Sequence, residues 1–273
     1  MAQSTPSQLE ILLRVADIRD LAGVGTSAVV TNWRARSPKF PEPRVGGSQP
    51  LFELHEILEW LRHEGPRGRT VDDPDPGWLW PRKVEAFLRQ AEVDEPRATL
   101  VALVTVRHLV AGGAEWQAVV AGREPAAVSL RLVARAAEKA ADARSSGKGS
   151  SLGDQLSAKL RLSGASAELL ADVARTLDDL EGWTVEQQLE PILALEAAAQ
   201  RHRPQRTQPA LARLLVAMGQ VRPLSTVYDP AVGEGDSLVA AAEALHDDAS
   251  VTLVGQDISP DASFIALARL AVR

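Results

Sequence analysis

The stretch 226-TVYDPAVGEGDSLVAAAEAL-245 restricts the fold more than any other part of the chain. It reads as a short apolar strand, a turn with glycines at 233 and 235, and an alanine-rich helix. The pattern then repeats: 251-VTLVGQDI-258 reads as a second strand and 260-PDASFIALARLAV-272 as a second helix. Strand, helix, strand, helix at these lengths predicts the opening of a parallel α/β sheet. One more helix precedes the first strand, over 207-TQPALARLLVAMG-219, with Thr207 as its N-cap, Pro209 in the first turn and Gly219 at its end.

The rest of the chain reads differently. Residues 78–200 predict an almost wholly helical segment, because 82-RKVEAFLRQAEV-93, 126-AAVSLRLVARAAEKAADA-143, 167-AELLADVARTLDDL-180 and 185-VEQQLEPILALEAAAQ-200 carry apolar residues three and four apart. The run 144-RSSGKGSS-151 reads as a loop between them, and 66-PRGRTVDDPDPG-77 as a linker. The expected architecture is therefore mostly α, then α/β. An N-terminal unit spans 1–65, a linker 66–77, a helical domain 78–200, and an incomplete α/β domain 201–273.

Composition excludes several chemistries. The chain has no cysteine, so disulfides, thiolate metal sites and a cysteine nucleophile are ruled out. Its five histidines are scattered without ligand spacing, and no metal site is expected. No apolar run approaches the roughly 20 residues that cross a bilayer, and the N-terminus lacks a signal-peptide pattern, so a cytoplasmic protein is expected. The net charge of −6 argues against a uniformly basic coat but leaves room for one basic patch. The acidic run of Asp172, Asp178, Asp179, Glu181, Glu186, Glu190 and Glu196 reads as a solvated helix face. Its alternative is a surface for a basic partner.

Residues 17-DIRDLAGVGTSAVVTNWRAR-36 have the form of a helix-turn-helix. Ile18, Leu21 and Ala22 make one apolar face, Gly23-Val24-Gly25 the turn, and Val29, Val30 and Trp33 the apolar face of a second helix capped by Thr26. The opposite face carries Ser27, Thr31, Asn32, Arg34 and Arg36, short or basic side chains suited to a major groove. A Gly-Gly turn in 37-SPKFPEPRVGGSQPLF-52 would form a wing, and 53-ELHEILEWLRHEG-65 a closing helix. Arg34, Arg36, Lys39 and Arg44 oppose only Glu42 over residues 31–50, a local balance of +3. Residues 12–63 resemble the winged helix-turn-helix of the MerR and excisionase type, which implies contact with double-stranded DNA. The same fold used only for packing is the alternative.

The glycine turn, Asp229-Pro230-Ala231-Val232-Gly233-Glu234-Gly235-Asp236, lacks the lysine of a P-loop. It also lacks the third glycine of a dinucleotide loop, which Leu238 replaces. Glu234 and Asp236 would repel a pyrophosphate. A ligand with a cationic centre and an ammonium group suits the turn better, and S-adenosylmethionine is one. Asp257, 22 residues after Gly235, is placed to accept from ribose hydroxyls, with Ile258 beside it for the adenine face.

In three places the segment 204–273 resembles the N6-adenine DNA methyltransferases related to the modification subunits of type I restriction systems: 207-TQPALARLLVAM-218, 229-DPAVGEG-235 and 255-GQD-257. The resemblance implies S-adenosylmethionine as cofactor, held by Thr207, by Asp229 through Asp236 and by Asp257. It also implies double-stranded DNA as substrate, with room for a specificity or nuclease subunit. Val232 and Glu234 depart from the family's cysteine and serine. The family's Asn-Pro-Pro-aromatic motif has no counterpart, since the chain contains no Pro-Pro. The expectation is an N-terminal portion of a longer enzyme, itself inactive and without a catalytic residue. The competing expectation is a non-catalytic DNA-binding regulator whose α/β piece is vestigial or a docking surface.

Overall fold

The computed structural model describes residues 9–65, 71–110, 113–121, 133–138, 152–162, 164–194, 207–245 and 251–273. The expected helix over 126–143 lies outside these residues except for 133–138, which are helical. The loop 144–151 and residues 195–206 lie outside them entirely. The chain divides into two compact units, Met1–Gln90 and Ala91–Arg273.

In the first unit, β1 (Leu12–Leu13) pairs antiparallel with β2 (Phe52–Glu53). Between them lie α1 (Val15–Leu21) and α2 (Ser27–Arg36), and α3 (Leu54–His63) follows β2 directly. The turn between α1 and α2 is set by Gly23 at φ +61°. Its N–H donates to Asp20 O at 3.1 Å and that of Val24 to Arg19 O at 3.0 Å, closing the first helix with a left-handed residue that glycine tolerates best. Val45 and Leu51 bridge antiparallel across the Gly46-Gly47 turn. Phe40 meets Phe52 at 5.5 Å and Trp60 at 4.8 Å between ring centroids, pinning the 37–44 segment to α3. Ile18, Val30, Phe52, Ile57 and Leu61 fill the core.

The first unit extends past the 66–77 segment. Helix α4 (Pro76–Gln90) is tied back to it: Arg82 pairs with Asp17 at 2.5 Å, Arg14 with Glu85 at 3.1 Å, and the Gln90 amide donates to Glu10 O at 2.7 Å. Three side-chain interactions thus tie α4 to the first unit.

The second unit is built around α5 (Pro96–Leu109). All nine residues from Ala98 to Val106 are buried. A helix apolar on every side packs on every side, and this one touches helices Leu152–Lys159, Gly164–Asp178, Val185–Ala194 and Pro260–Ala271. Its buried Thr105 hydroxyl is satisfied by Val101 O at 2.8 Å. Helix α6 (Ala114–Val120) packs on Gly164–Asp178, where the Trp116 indole donates to Asp178 at 2.7 Å. Among the described residues of the acidic run, Asp179, Glu181, Glu186 and Glu190 are exposed, Asp178 is half-buried and only Asp172 is buried. Asp172 is buried beside Arg175 at 3.2 Å, and Glu186 pairs with Arg273 at 2.5 Å.

Strands β3 (Thr226–Asp229) and β4 (Thr252–Gly255) pair in parallel, with Val227 opposite Leu253 and Asp229 opposite Gly255. Val227 and Leu253 face the apolar residues of helices Pro209–Gly219, Asp236–Leu245 and Pro260–Ala271. The other face of the pair leaves Tyr228 and Val254 exposed. Both strands are shorter than the sequence suggests. Gln208, not Thr207, occupies the N-cap position of the Pro209–Gly219 helix, without a side-chain capping bond, and Pro209 follows at its first position. Gln220, left-handed at φ 48°, ends it after Gly219.

Candidate functional site

The glycine turn sits beyond the carboxyl ends of the two parallel strands, where open α/β sheets place ligands. Pairing continues past the strands: Gln256 N–H donates to Asp229 O at 3.0 Å and Val232 N–H to Gln256 O at 2.9 Å. Val232 is buried against Gly255, where a Cβ would meet its Cγ2 at 2.8 Å. Glycine at 255 is thus required by the turn folding over it.

The two turn glycines differ. Gly233, at φ +52°, would meet nothing within 4 Å if given a Cβ. Gly235, at φ +88°, would meet the Ala266 Cβ at 2.9 Å. The close approach at Gly235 is therefore to the Pro260–Ala271 helix, and only Gly233 leaves room for a ligand.

The two acidic side chains expected to face the ligand are turned inward. Glu234 pairs with Arg97, whose guanidinium also donates to Ile192 O and Leu193 O at 3.1 Å each. Asp236, 9% exposed, takes Arg269 at 2.9 Å, and the same Arg269 nitrogen donates to Glu234 O at 2.6 Å. Arg97 and Arg269 hold the turn from behind. Neither stood out in the sequence, although Arg269 carries a signal: it lies three and four residues after Ala266 and Ile265, on the apolar face of its helix.

The carboxylates that remain beside Gly233 are Asp229 and Asp257. One oxygen of Asp229 accepts from Ala231 N–H at 3.0 Å. Asp257 accepts from Gly233 N–H and Ser259 N–H, both at 2.9 Å. A carboxylate offers about four lone-pair directions, so each retains acceptor capacity. The amides of Ala231, Val232, Gly233 and Gly235 are all spent, the last on Val232 O at 2.9 Å. Pro230 and Ala231 are exposed, and Ile258 is exposed in full. Thr207 is half-buried just ahead of its helix. Pro209 and Ala212 of that helix share a cavity of about 200 Å³ with Asp236 and Val239.

In the first unit, Thr26 occupies the N-cap of α2 but makes no capping bond with its side chain. Thr31, Asn32, Arg34 and Arg36 are exposed and Ser27 half-buried. The Thr31 hydroxyl donates to Ser27 O at 3.1 Å, and the Arg34 guanidinium lies 5.7 Å from the Phe52 ring centre. Two of the expected phosphate contacts are engaged within the protein: Lys39 pairs with Glu64 at 2.5 Å and Arg44 with Glu56 at 2.6 Å.

Among the described residues no helix is long and apolar enough to cross a membrane, and no cluster of His, Cys, Asp and Glu is arranged to hold a metal ion. In comparison with known proteins, no family model, no curated protein and no solved structure matches the chain.

Proposed function

We propose that the second unit binds S-adenosylmethionine at the 229–235 turn and that the first unit contacts duplex DNA, as the cofactor- and DNA-binding portion of an adenine-N6 DNA methyltransferase. One observation carries the cofactor reading. The turn spends the amides of Ala231, Val232, Gly233 and Gly235 internally and keeps carboxylate acceptors at Asp229 and Asp257 beside the open Gly233. Phosphate binding at a helix start needs free N–H groups. Ribose hydroxyls and an ammonium group need acceptors, and Asp229 and Asp257 offer them beside Gly233, whose own amide is spent. The preference for a cationic nucleoside therefore rests on Asp229 and Asp257, not on Glu234 and Asp236.

In this reading Asp257 accepts from the ribose hydroxyls, Asp229 faces the positive end of the ligand, and Ile258 lies against the base. S-adenosylmethionine supplies the methyl group when bound. A base methylated at its exocyclic amine must leave the duplex stack to reach it. The chain has no Asn-Pro-Pro sequence, so methyl transfer is assigned to no residue here.

Calorimetric titration of the full chain tests the assignment. S-adenosylmethionine and S-adenosylhomocysteine should bind, and Asp257→Ala should weaken both at least tenfold, a loss of about 1.4 kcal/mol for a hydrogen bond to a charged group. Tighter binding of ATP or NAD would overturn it. The second reading, a DNA-binding regulator with a docking α/β piece, draws on the exposed Tyr228 and Val254 and on Leu214 and Met218 of the Pro209–Gly219 helix. It predicts duplex binding with no response to either nucleoside.

A further inference from the structure

Helix α2 turns about 100° per residue. With Val30 buried and Val29 and Trp33 half-buried, the opposite side presents Ala28, Thr31, Asn32 and Ala35, all exposed. Arg34 and Arg36 flank that side. Their polar groups are not equally available. The Thr31 hydroxyl is committed to Ser27 O, whereas Arg34, 5.7 Å from the Phe52 ring centre, makes no hydrogen bond among the described residues. Across the neighbouring segment Lys39 and Arg44 are paired with Glu64 and Glu56. The Val45–Leu51 turn carries no charge between Gly46 and Pro50. Asn32 is the one carboxamide on the outward side, and no hydrogen-bond partner within the described residues engages it.

We propose that Asn32 reads an adenine in the major groove while Arg36 and Arg34 grip the flanking phosphates. This rests on the duplex-binding reading of the first unit and assigns its specificity. A carboxamide donates to adenine N7 and accepts from N6, a pairing that guanine cannot match because it presents acceptors at both positions. Alanine at 28 and 35 lets the helix approach closely enough for so short a side chain to reach. The two arginines lie at the margins of the same side, where the strands' phosphates would pass. Their contacts add affinity and carry no base preference.

Selection of the full chain against a randomised duplex library tests this, followed by titrations of the selected site and its single-base variants. Wild type should prefer adenine at one position by roughly five- to a hundredfold. Asn32→Ala should abolish that preference and leave the thermal melt unchanged. Arg36→Ala should weaken all sequences alike, lower the salt slope by about one, and keep the preference. A preference that survives Asn32→Ala, or that is lost with Arg36→Ala, overturns the assignment while leaving duplex binding in place. Failure of wild type to bind any duplex overturns the duplex reading itself, and the assignment with it.

Discussion

The glycine turn and the outward side of α2 use their polar groups in opposite ways. Around the turn, Glu234 and Asp236 face Arg97 and Arg269, and four amides close on nearby oxygens. On α2, Asn32 and Arg36 point to solvent with nothing in the described residues to engage them. A charge written into a motif thus says little about a ligand until its partner is known. Glu234 and Asp236 are scaffold, whereas the carboxylates of Asp229 and Asp257 keep acceptor capacity. On α2 the modest letters are the available ones, and half of the local basic charge is engaged elsewhere.

Substitutions can break this contrast. The largest effect is expected from Arg269→Met, which leaves Asp236 buried without its guanidinium and should cost about 3–5 kcal/mol in urea unfolding. A loss under about 1 kcal/mol would return Asp236 to the ligand-facing side. Next comes the pair of glycines. Gly235→Ala combines left-handed strain with a clash on Ala266 and should cost about 2–4 kcal/mol. Gly233→Ala, strained but unobstructed, should cost about 1 kcal/mol and weaken nucleoside binding more than it weakens the fold. Equal losses would erase the distinction between a packing glycine and a ligand-facing one. The smallest stability effects belong to the first unit, where Arg34→Ala with Arg36→Ala, and Lys39→Ala with Arg44→Ala, should each shift unfolding by no more than about 0.5 kcal/mol. Their DNA-binding effects should separate. The first double variant should flatten the salt dependence by about two and the second by less than one.

Much of the secondary structure was legible in the sequence. Helix Asp236–Leu245 begins and ends where its pattern does, α3 runs over 54–63 within the expected 53–65, and the β3–β4 pair is parallel as the alternation of strands and helices requires. Thr207 was misplaced by one position because Gln208 and threonine both precede Pro209, and only backbone angles tell a cap from its neighbour. Helix α5 falls inside the expected helical segment 78–200, but its place at the core of the second unit does not show in the sequence. Its run ALVTV has no polar face, and periodicity needs a polar face to be seen. The candidate site was half legible: the sequence locates the turn and Asp257, but not that Arg97, 137 residues before Glu234, would neutralise it.

By itself the sequence determined where helices and strands lie and which turn joins a strand to a helix, because those follow from local spacing and backbone sterics. Tertiary structure alone decided which charges remain for a ligand. That depends on residues brought together from α5, from Val185–Ala194 and from Pro260–Ala271, and a carboxylate's role is set by the cation nearest to it in space, wherever that cation sits in the chain.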